Sequence, residues 1–198
     1  MIEEVLYCRT YQRKNSQRLK KFNISQKNIM IKKILIGLLV ILVAIQFIRP
    51  AKNNSADITK DISTLCPMPD SVRVIVEKAC ADCHTNNTKY PLYAAIQPIS
   101  FWLADHVNDG KRHFNFNEFA GYRVAKQNHK LEEVIEQIKE GGMPLPSYTI
   151  IHTEAKLTEA EKETLTKWCQ NIMDTLKANY PADSLVLKKS TQTQAATQ

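Results

Sequence analysis

Residues 70–84 read DSVRVIVEKACADCH, a stretch that joins an amphipathic helix pattern to a cysteine motif. Asp70 or Ser71 can cap the helix. The apolar positions follow the i, i+3, i+4, i+7 spacing of one helix face: Val72, Ile75, Val76 and Ala79. Residues 80–84 (CADCH) follow without a break, so the motif is predicted to lie on the C-terminal turn of this helix.

The spacing C-x-x-C-H is typical of a c-type haem attachment site. Two thiols one turn apart can each bond to a haem vinyl group, and the adjacent imidazole can ligate the iron. Cys80 and Cys83 are therefore the predicted thioether residues, and His84 is the predicted proximal ligand of one covalent haem c. Two alternatives stay open. A redox dithiol needs a βαβ context that the sequence does not show, and a zinc site needs a second ligand pair that it does not supply.

The positive charge of the chain is confined to its N-terminus. Residues 1–33 hold nine Lys or Arg and two Asp or Glu, which accounts for the whole net charge of +7. Residues 34–198 are balanced, with eighteen residues of each sign. Because the rest of the chain has no excess of positive charge, the composition does not indicate nucleic-acid binding, and no nucleic-acid partner is expected.

An apolar run from Ile34 to Ile48 follows the basic segment. Fifteen helical residues span about 22 Å, short of a hydrocarbon core of about 30 Å, but flanking lysines can extend toward the headgroups. Because no A-x-A-like cleavage site follows, the run predicts an uncleaved transmembrane signal anchor over residues 30–49 rather than a signal peptide. Residues 1–29 are interpreted as a basic extension, with Met30 as an alternative start. The charge asymmetry predicts that residues 50–198 lie in the periplasm, where covalent haem is attached.

The remainder is predicted to comprise a linker over residues 50–57, a haem-binding domain over 58–180 and a disordered tail over 181–198. Pro98 opens one predicted helix, and residues 108–110 (NDG) end it. A second helix over residues 131–139 stops at a Gly-Gly pair, and a T-x-x-E capping box at residues 158–161 begins the last. No segment predicts a strand. The predicted class is all-α, a small cytochrome-c-like fold around one haem, preceded by the transmembrane helix.

The second axial ligand of the iron decides between electron transfer and ligand binding. Met143 is the leading candidate, because it lies in a Gly-Gly-Met-Pro segment and a thioether suits an electron-transfer site. The alternative role of Met143 is core packing. His106 is the rival distal ligand, and a structural role bonded to a carbonyl or a haem propionate is its alternative. The basic trio at residues 111–113 could pair with the propionates or simply face solvent.

Cys66 and Cys169 are left over after the motif is assigned. In an oxidising compartment they could form a disulfide between the first segment of the domain and its last helix. The sequence does not place their Cα atoms, so both the paired and the unpaired state stay open.

Three segments in order carry a family resemblance: CADCHTNNTKYPLY at 80–93, PISFWLADH at 98–106 and MPLPSY at 143–148. They resemble the bacterial haem-binding domain that has a single C-x-x-C-H. The resemblance covers about residues 66–170 and implies an exported, often membrane-tethered cytochrome-c-like domain. It implies haem attachment at Cys80 and Cys83, ligation by His84 and a distal position for Met143. Leu92 stands where the family often has Trp.

These observations lead to one expected function and two alternatives. The expected function is single-electron transfer by a tethered mono-haem c protein to redox partner proteins at the membrane. A peroxidase-type haem enzyme would need an open sixth position with His106 as the distal acid–base group. A haem-based sensor would need a displaceable sixth ligand. The sequence leaves the oligomeric state undetermined.

Overall fold

The structure is a computed structural model that describes residues 26–187, and these residues form α-helices joined by loops and 3-10 helices. The α-helices are α1 Gln26–Ile45, α2 Asp70–Ala79, α3 Ala81–His84, α4 Ile99–His113, α5 Val124–Glu140, α6 Pro146–Thr149 and α7 Glu159–Asn179. The 3-10 helices are Ile62–Thr64, Leu92–Ala95, Phe116–Gly121, Thr153–Ala155 and Ala182–Ser184. Within residues 26–187 there is no strand, only an isolated bridge between Asn54 and Asn87. The all-α prediction is confirmed. The predictions for residues 1–25 and 188–198 lie outside the described residues.

Helix α1 is long and apolar enough to cross a membrane. Its 20 residues span about 30 Å at ~1.5 Å per residue, and its large apolar side chains are exposed from Ile29 to Val43. A helix of this length and composition near an N-terminus is common to membrane anchors and signal sequences. The structure thus contains a helix that could serve as the predicted anchor.

Helix α2 buries the apolar face that its sequence predicts, with Val72, Ile75, Val76 and Ala79 all in the core. The motif that follows differs from the prediction of a continuous helix. Cys80 leaves α-helical geometry, with φ −126° and ψ −36°, so α3 is a separate short helix. The Cys80 N–H still donates to the Val76 carbonyl, and the His84 N–H donates to the Cys80 carbonyl, both at 2.9 Å. This break turns the motif relative to α2.

The predicted end of α4 at residues 108–110 was wrong, because the helix continues to His113. Gly110 serves the packing of α4 rather than its termination. A Cβ at Gly110 would lie 2.6 Å from the carbonyl oxygen of Cys83, so only glycine lets α4 approach α3 so closely. The local cost of a helical glycine, about 0.5–1 kcal/mol, is offset by this packing.

Helices α5 and α7 form the most extensive helix pair, and α7 also packs on α2. Gly141 ends α5 with φ +74°, the left-handed conformation that glycine adopts without strain. The predicted capping box is present: the Thr158 hydroxyl accepts from the Glu161 N–H, and the Glu161 carboxylate accepts from the Thr158 N–H. The predicted apolar stripe of α7 is buried, and three phenylalanines complete the core. These residues are Leu165, Trp168, Ile172 and Leu176, with Phe114, Phe116 and Phe119.

The predicted linker and tail both contribute to the folded body. Asn53 donates from its side chain to the Thr85 carbonyl at 2.8 Å, and its backbone N–H donates to the Tyr90 hydroxyl at 2.7 Å. Residues 50–57 are therefore fastened to the domain rather than free of it. At the other end, Leu185 is buried in the core, so the folded body extends past residue 180.

The two remaining cysteines of the domain are free thiols in the structure. Cys169 is buried on α7 within the core, and Cys66 is half-buried and packs against the same apolar cluster. The hypothesised Cys66–Cys169 disulfide is not formed.

Candidate functional site

One large cavity opens between α3, α4, α5 and the loop after α5. Its volume is about 610 Å³, within the range of about 300–1,000 Å³ that is usual for small-molecule sites. All five residues singled out from the sequence line it: Cys80, Cys83, His84, His106 and Met143. The rest of the lining is mainly apolar and includes Phe114, Phe116, Val134, Ile138, Leu145 and Leu165. The structure thus brings residues far apart in the sequence to one apolar chamber.

His84 is held in a defined tautomer. Its Nδ1 lies 2.9 Å from the carbonyl oxygen of Phe114, which only accepts hydrogen bonds, so Nδ1 carries the proton. Burial lowers the pKa of His84, which keeps the imidazole neutral. The lone pair on Nε2 is then available. A neutral imidazole oriented by a second bond at Nδ1 is the usual arrangement of a metal-ligating histidine.

The two motif thiols are protonated rather than activated. Burial raises the pKa of Cys80 to about 12, with a smaller contribution from Cys83. Burial also raises the pKa of Cys83, to about 11. A thioredoxin-like dithiol requires the opposite shift, toward a stable thiolate. Within residues 26–187 no group of three or more His, Cys, Asp or Glu side chains is placed to hold a metal ion.

Met143 is positioned by the end of α5. Past Gly141 the chain turns back, and the Gly142 and Met143 N–H groups both donate to the Gln137 carbonyl, at 2.9 and 3.2 Å. A Cβ at Gly142 would lie 2.5 Å from the Gln137 side-chain oxygen, a contact that this flexible side chain can relieve by moving. The loop from Met143 to α6 therefore begins against the last turn of α5 and borders the cavity.

A tyrosine fastens the other end of that loop to the cysteine motif. The Tyr148 hydroxyl donates to the Asp82 carboxylate at 2.8 Å, and Tyr148 also lines the cavity. Burial and this bond raise the pKa of Tyr148 well above its usual value. The Tyr148 ring stacks on His152, which accepts a hydrogen bond from the Tyr93 hydroxyl at 2.7 Å. Sequence reasoning missed this network, although Asp82 and Tyr148 belong to the segments that carried the resemblance.

His106 lines the cavity from α4. Its Nδ1 bonds to the carbonyl oxygen of Trp102 at 2.9 Å, and the two rings lie 4.2 Å apart between centroids. This agrees with the structural alternative weighed from the sequence, and it leaves Nε2 unassigned. The histidine is thus available to the cavity but is bonded within its own helix.

The basic trio at residues 111–113 does not act as a unit. Lys111 donates to the Asn53 side chain at 2.6 Å, and Arg112 pairs with Asp109. Only His113 of the three lines the cavity. The lining also includes Lys130 of α5, which was not expected from the sequence and pairs with Glu133.

Comparison with known proteins identifies the family. The family model described as a haem-binding domain matches residues 40–171. The chain belongs to the haem-binding domain family. Searches of curated proteins and of solved structures returned no match.

The residues of the cavity fit a haem. The macrocycle is a large apolar group, and the chamber offers a mainly apolar lining of suitable size. His84 presents a neutral imidazole with Nε2 unbonded, and Met143 adds a thioether. The protein is thus a haem-binding protein whose described residues supply nitrogen and sulfur donors to this one cavity.

Proposed function

We propose that this haem-binding protein is a membrane-tethered, mono-haem c-type cytochrome that transfers single electrons outside the cytoplasm. Cys80 and Cys83 would form the thioether bonds, His84 would be the proximal ligand and Met143 the distal ligand. The observation that carries the proposal is the convergence of two thiols, an oriented imidazole and a thioether on one apolar cavity.

Bound haem would supply the one-electron chemistry, and the protein would set its ligation, burial and orientation. The Phe114 carbonyl fixes the His84 ring, and a bond at Nδ1 raises the basicity of Nε2. Met143 is favoured over His106 because its loop is fastened at both ends, by the α5 terminus and by the Tyr148–Asp82 bond. Such a loop would hold the Met143 thioether in place in both oxidation states of the iron, and constant ligation suits electron transfer.

Helix α1 supports the proposed tether and its orientation. Lys32 and Lys33 lie within the N-terminal half of this helix, and residues 1–33 carry nine positive charges. Positive charge on this side favours a cytoplasmic N-terminus and a periplasmic domain. Protease added to intact spheroplasts tests the orientation: we expect cleavage of the haem domain without lysis.

Covalent attachment is tested by retention of haem on a denaturing gel. We expect the wild-type chain to keep its haem stain and the Cys80→Ser/Cys83→Ser variant to lose it. Cys66→Ser is the matched control, because this thiol lies outside the cavity and its loss should leave the stain unchanged. Haem retained by the double variant would contradict the assignment.

The distal ligand is tested by two variants compared in visible spectra with and without carbon monoxide. Met143→Ala should remove the far-red band of ferric Met-ligated haem and allow carbon monoxide to bind the ferrous protein rapidly. His106→Ala should change neither, since this side chain is bonded to its own helix. The reverse result would make His106 the distal ligand. Rapid carbon monoxide binding by the wild-type protein would instead favour a sensor or a peroxidase-type enzyme.

A further inference from the structure

The end of α1 is hydrogen-bonded directly to the segment that opens α4. The Gln97 N–H donates to the Gln46 side-chain oxygen at 3.0 Å, and the Gln46 amide donates to the Gln97 carbonyl at 3.2 Å. The Gln97 amide also donates to the Ile48 carbonyl at 2.7 Å, and Gln97 is only 3% exposed. With Asn53 bonded to the domain, the domain is held against the end of the apolar helix.

An apolar surface is exposed at this junction. We define the apolar patch as Phe47, Ile48, Leu92, Ile96, Ile99 and Trp102, all of which are exposed. Leu92 is 96% exposed, although it follows Pro91 at the start of a well-formed 3-10 helix. Soluble proteins rarely expose several large apolar side chains together unless a surface covers them. The patch therefore calls for a specific partner.

The charges around the patch indicate which partner it fits. Residues 46–56 and 89–104 contain three cations, Arg49, Lys52 and Lys89, and no Asp or Glu. The first carboxylates beyond these segments are Asp57 and Asp105. Exposed leucine, isoleucine and tryptophan rimmed by lysine and arginine are the composition of surfaces that enter the interface of anionic bilayers.

We propose that the apolar patch rests on the outer surface of the same bilayer that α1 crosses, with its side chains at the boundary between headgroups and acyl chains. The inference depends on α1 being a membrane anchor, as proposed above. Continuity with α1 favours lipid over a protein partner, because the patch begins within two residues of the helix end and is bonded to it.

Docking in this way fixes the orientation of the haem cavity. His106 lines the cavity and its ring contacts that of Trp102 in the patch, so the cavity rim lies about one helical turn, ~5.4 Å along α4, from the bilayer surface. The cavity would therefore face redox partners within or at the membrane rather than in the bulk periplasm.

The test uses the full-length holoprotein in nanodiscs of phosphatidylcholine and phosphatidylglycerol. Hydroxyl radicals label side chains from the water phase, and a membrane-confined diazirine lipid labels them from the bilayer. We expect oxidation of Leu92 and Trp102 to be several-fold lower than that of Val74, after each is normalised to its reactivity in unfolded protein. Val74 is the matched control, since it is 61% exposed on α2. The diazirine should label α1 and residues 89–104 but not α2.

Three other outcomes would overturn the inference, and the labelling pattern distinguishes them. Labelling of α1 without protection of Leu92 would leave the anchor intact and refute the docked patch. Protection without lipid labelling would mean that a protein, or a second copy of this chain, covers the patch. No lipid labelling of α1 would refute the anchor itself.

A charged variant provides a second measurement. Leu92→Glu/Ile96→Glu should raise the oxidation of Trp102 toward its value in unfolded protein, because two carboxylates lift the patch from an anionic bilayer. Both side chains are exposed, so the fold should tolerate the change. Val74→Glu should have no effect on Trp102. Unchanged oxidation of Trp102 in the double variant would contradict lipid docking.

Discussion

Substituting Gly110 with alanine tests how the cysteine motif is positioned. The new Cβ would lie 2.6 Å from the Cys83 carbonyl oxygen and 3.0 Å from Cys83 Cβ, whereas ordinary contacts begin at 3.4 Å. Helices α3 and α4 must therefore separate by up to about 0.8 Å, because the nearest atom is backbone and cannot rotate away. Overpacking of this kind costs about 1–3 kcal/mol, and alanine recovers about 0.5–1 kcal/mol of helix propensity. We expect a net loss of about 1–2 kcal/mol.

The assay is thermal unfolding of the detergent-solubilised protein, followed by circular dichroism. The expected loss corresponds to a fall in Tm of roughly 2–8 °C for a protein of this size. The separation would also stretch the 2.9 Å bond between His84 and the Phe114 carbonyl, so the visible spectrum of bound haem should shift. Gly37→Ala is the control, since nothing lies within 4 Å of its added Cβ. A Gly110→Ala protein that melts at or above the wild-type temperature with an unchanged spectrum would refute the packing argument.

Two further predictions concern single contacts. Tyr148→Phe removes the hydroxyl that donates to Asp82, a hydrogen bond that contributes about 1.5–3 kcal/mol because its acceptor is charged. Loss of this bond should loosen the Met143 loop and so accelerate carbon monoxide binding to the ferrous protein. Tyr180→Phe is its control, since Tyr180 is exposed and lies outside the cavity, and equal rates in the two variants would contradict the role of the bond. Glu161→Gln keeps the capping box but removes the ion pair with Lys78, which should cost about 0.2–1 kcal/mol at neutral pH. The Lys78 bond lowers the pKa of Glu161 below 4.5. The stabilisation by the ionised Glu161 is therefore present above that pH and is lost as pH falls through the folded-state pKa. The free energy of unfolding, measured from pH 7 to 3, should therefore fall less in the variant than in the wild type.

The parts of the fold that were predictable are those set by local sequence. The stripe of α7, its capping box and the stop of α5 at Gly141 all depend on residues within a few positions of one another. Gly110 misled the prediction because its local effect, which is to weaken a helix, is opposed by a contact with Cys83. No short-range pattern reports such a contact.

The residues of the candidate site also divide into those that local sequence predicts and those that long-range contacts position. Cys80, Cys83 and His84 were recognisable from five residues, and the Met143 loop from its glycines and prolines. The Asp82–Tyr148 bond joins residues 66 positions apart, so its partners could not be paired from the sequence alone. Asn53 was assigned to a polar linker because nothing nearby shows that its side chain bonds to Thr85 and Thr88.

These long-range contacts meet at α3, and its length explains why they are needed. A helix of four residues without a side-chain cap does not form on its own, because nucleation costs more than one turn of hydrogen bonds returns. Helix α3 is held by Gly110 from α4, by Tyr148 from α6 and by Asn53 through the Thr85 carbonyl. The geometry of the haem motif is thus determined by three distant parts of the chain. Loss of any one of them should alter the spectrum of the haem site before it unfolds the core of α2, α5 and α7, because each acts directly on α3 or on the Thr85 carbonyl that follows it.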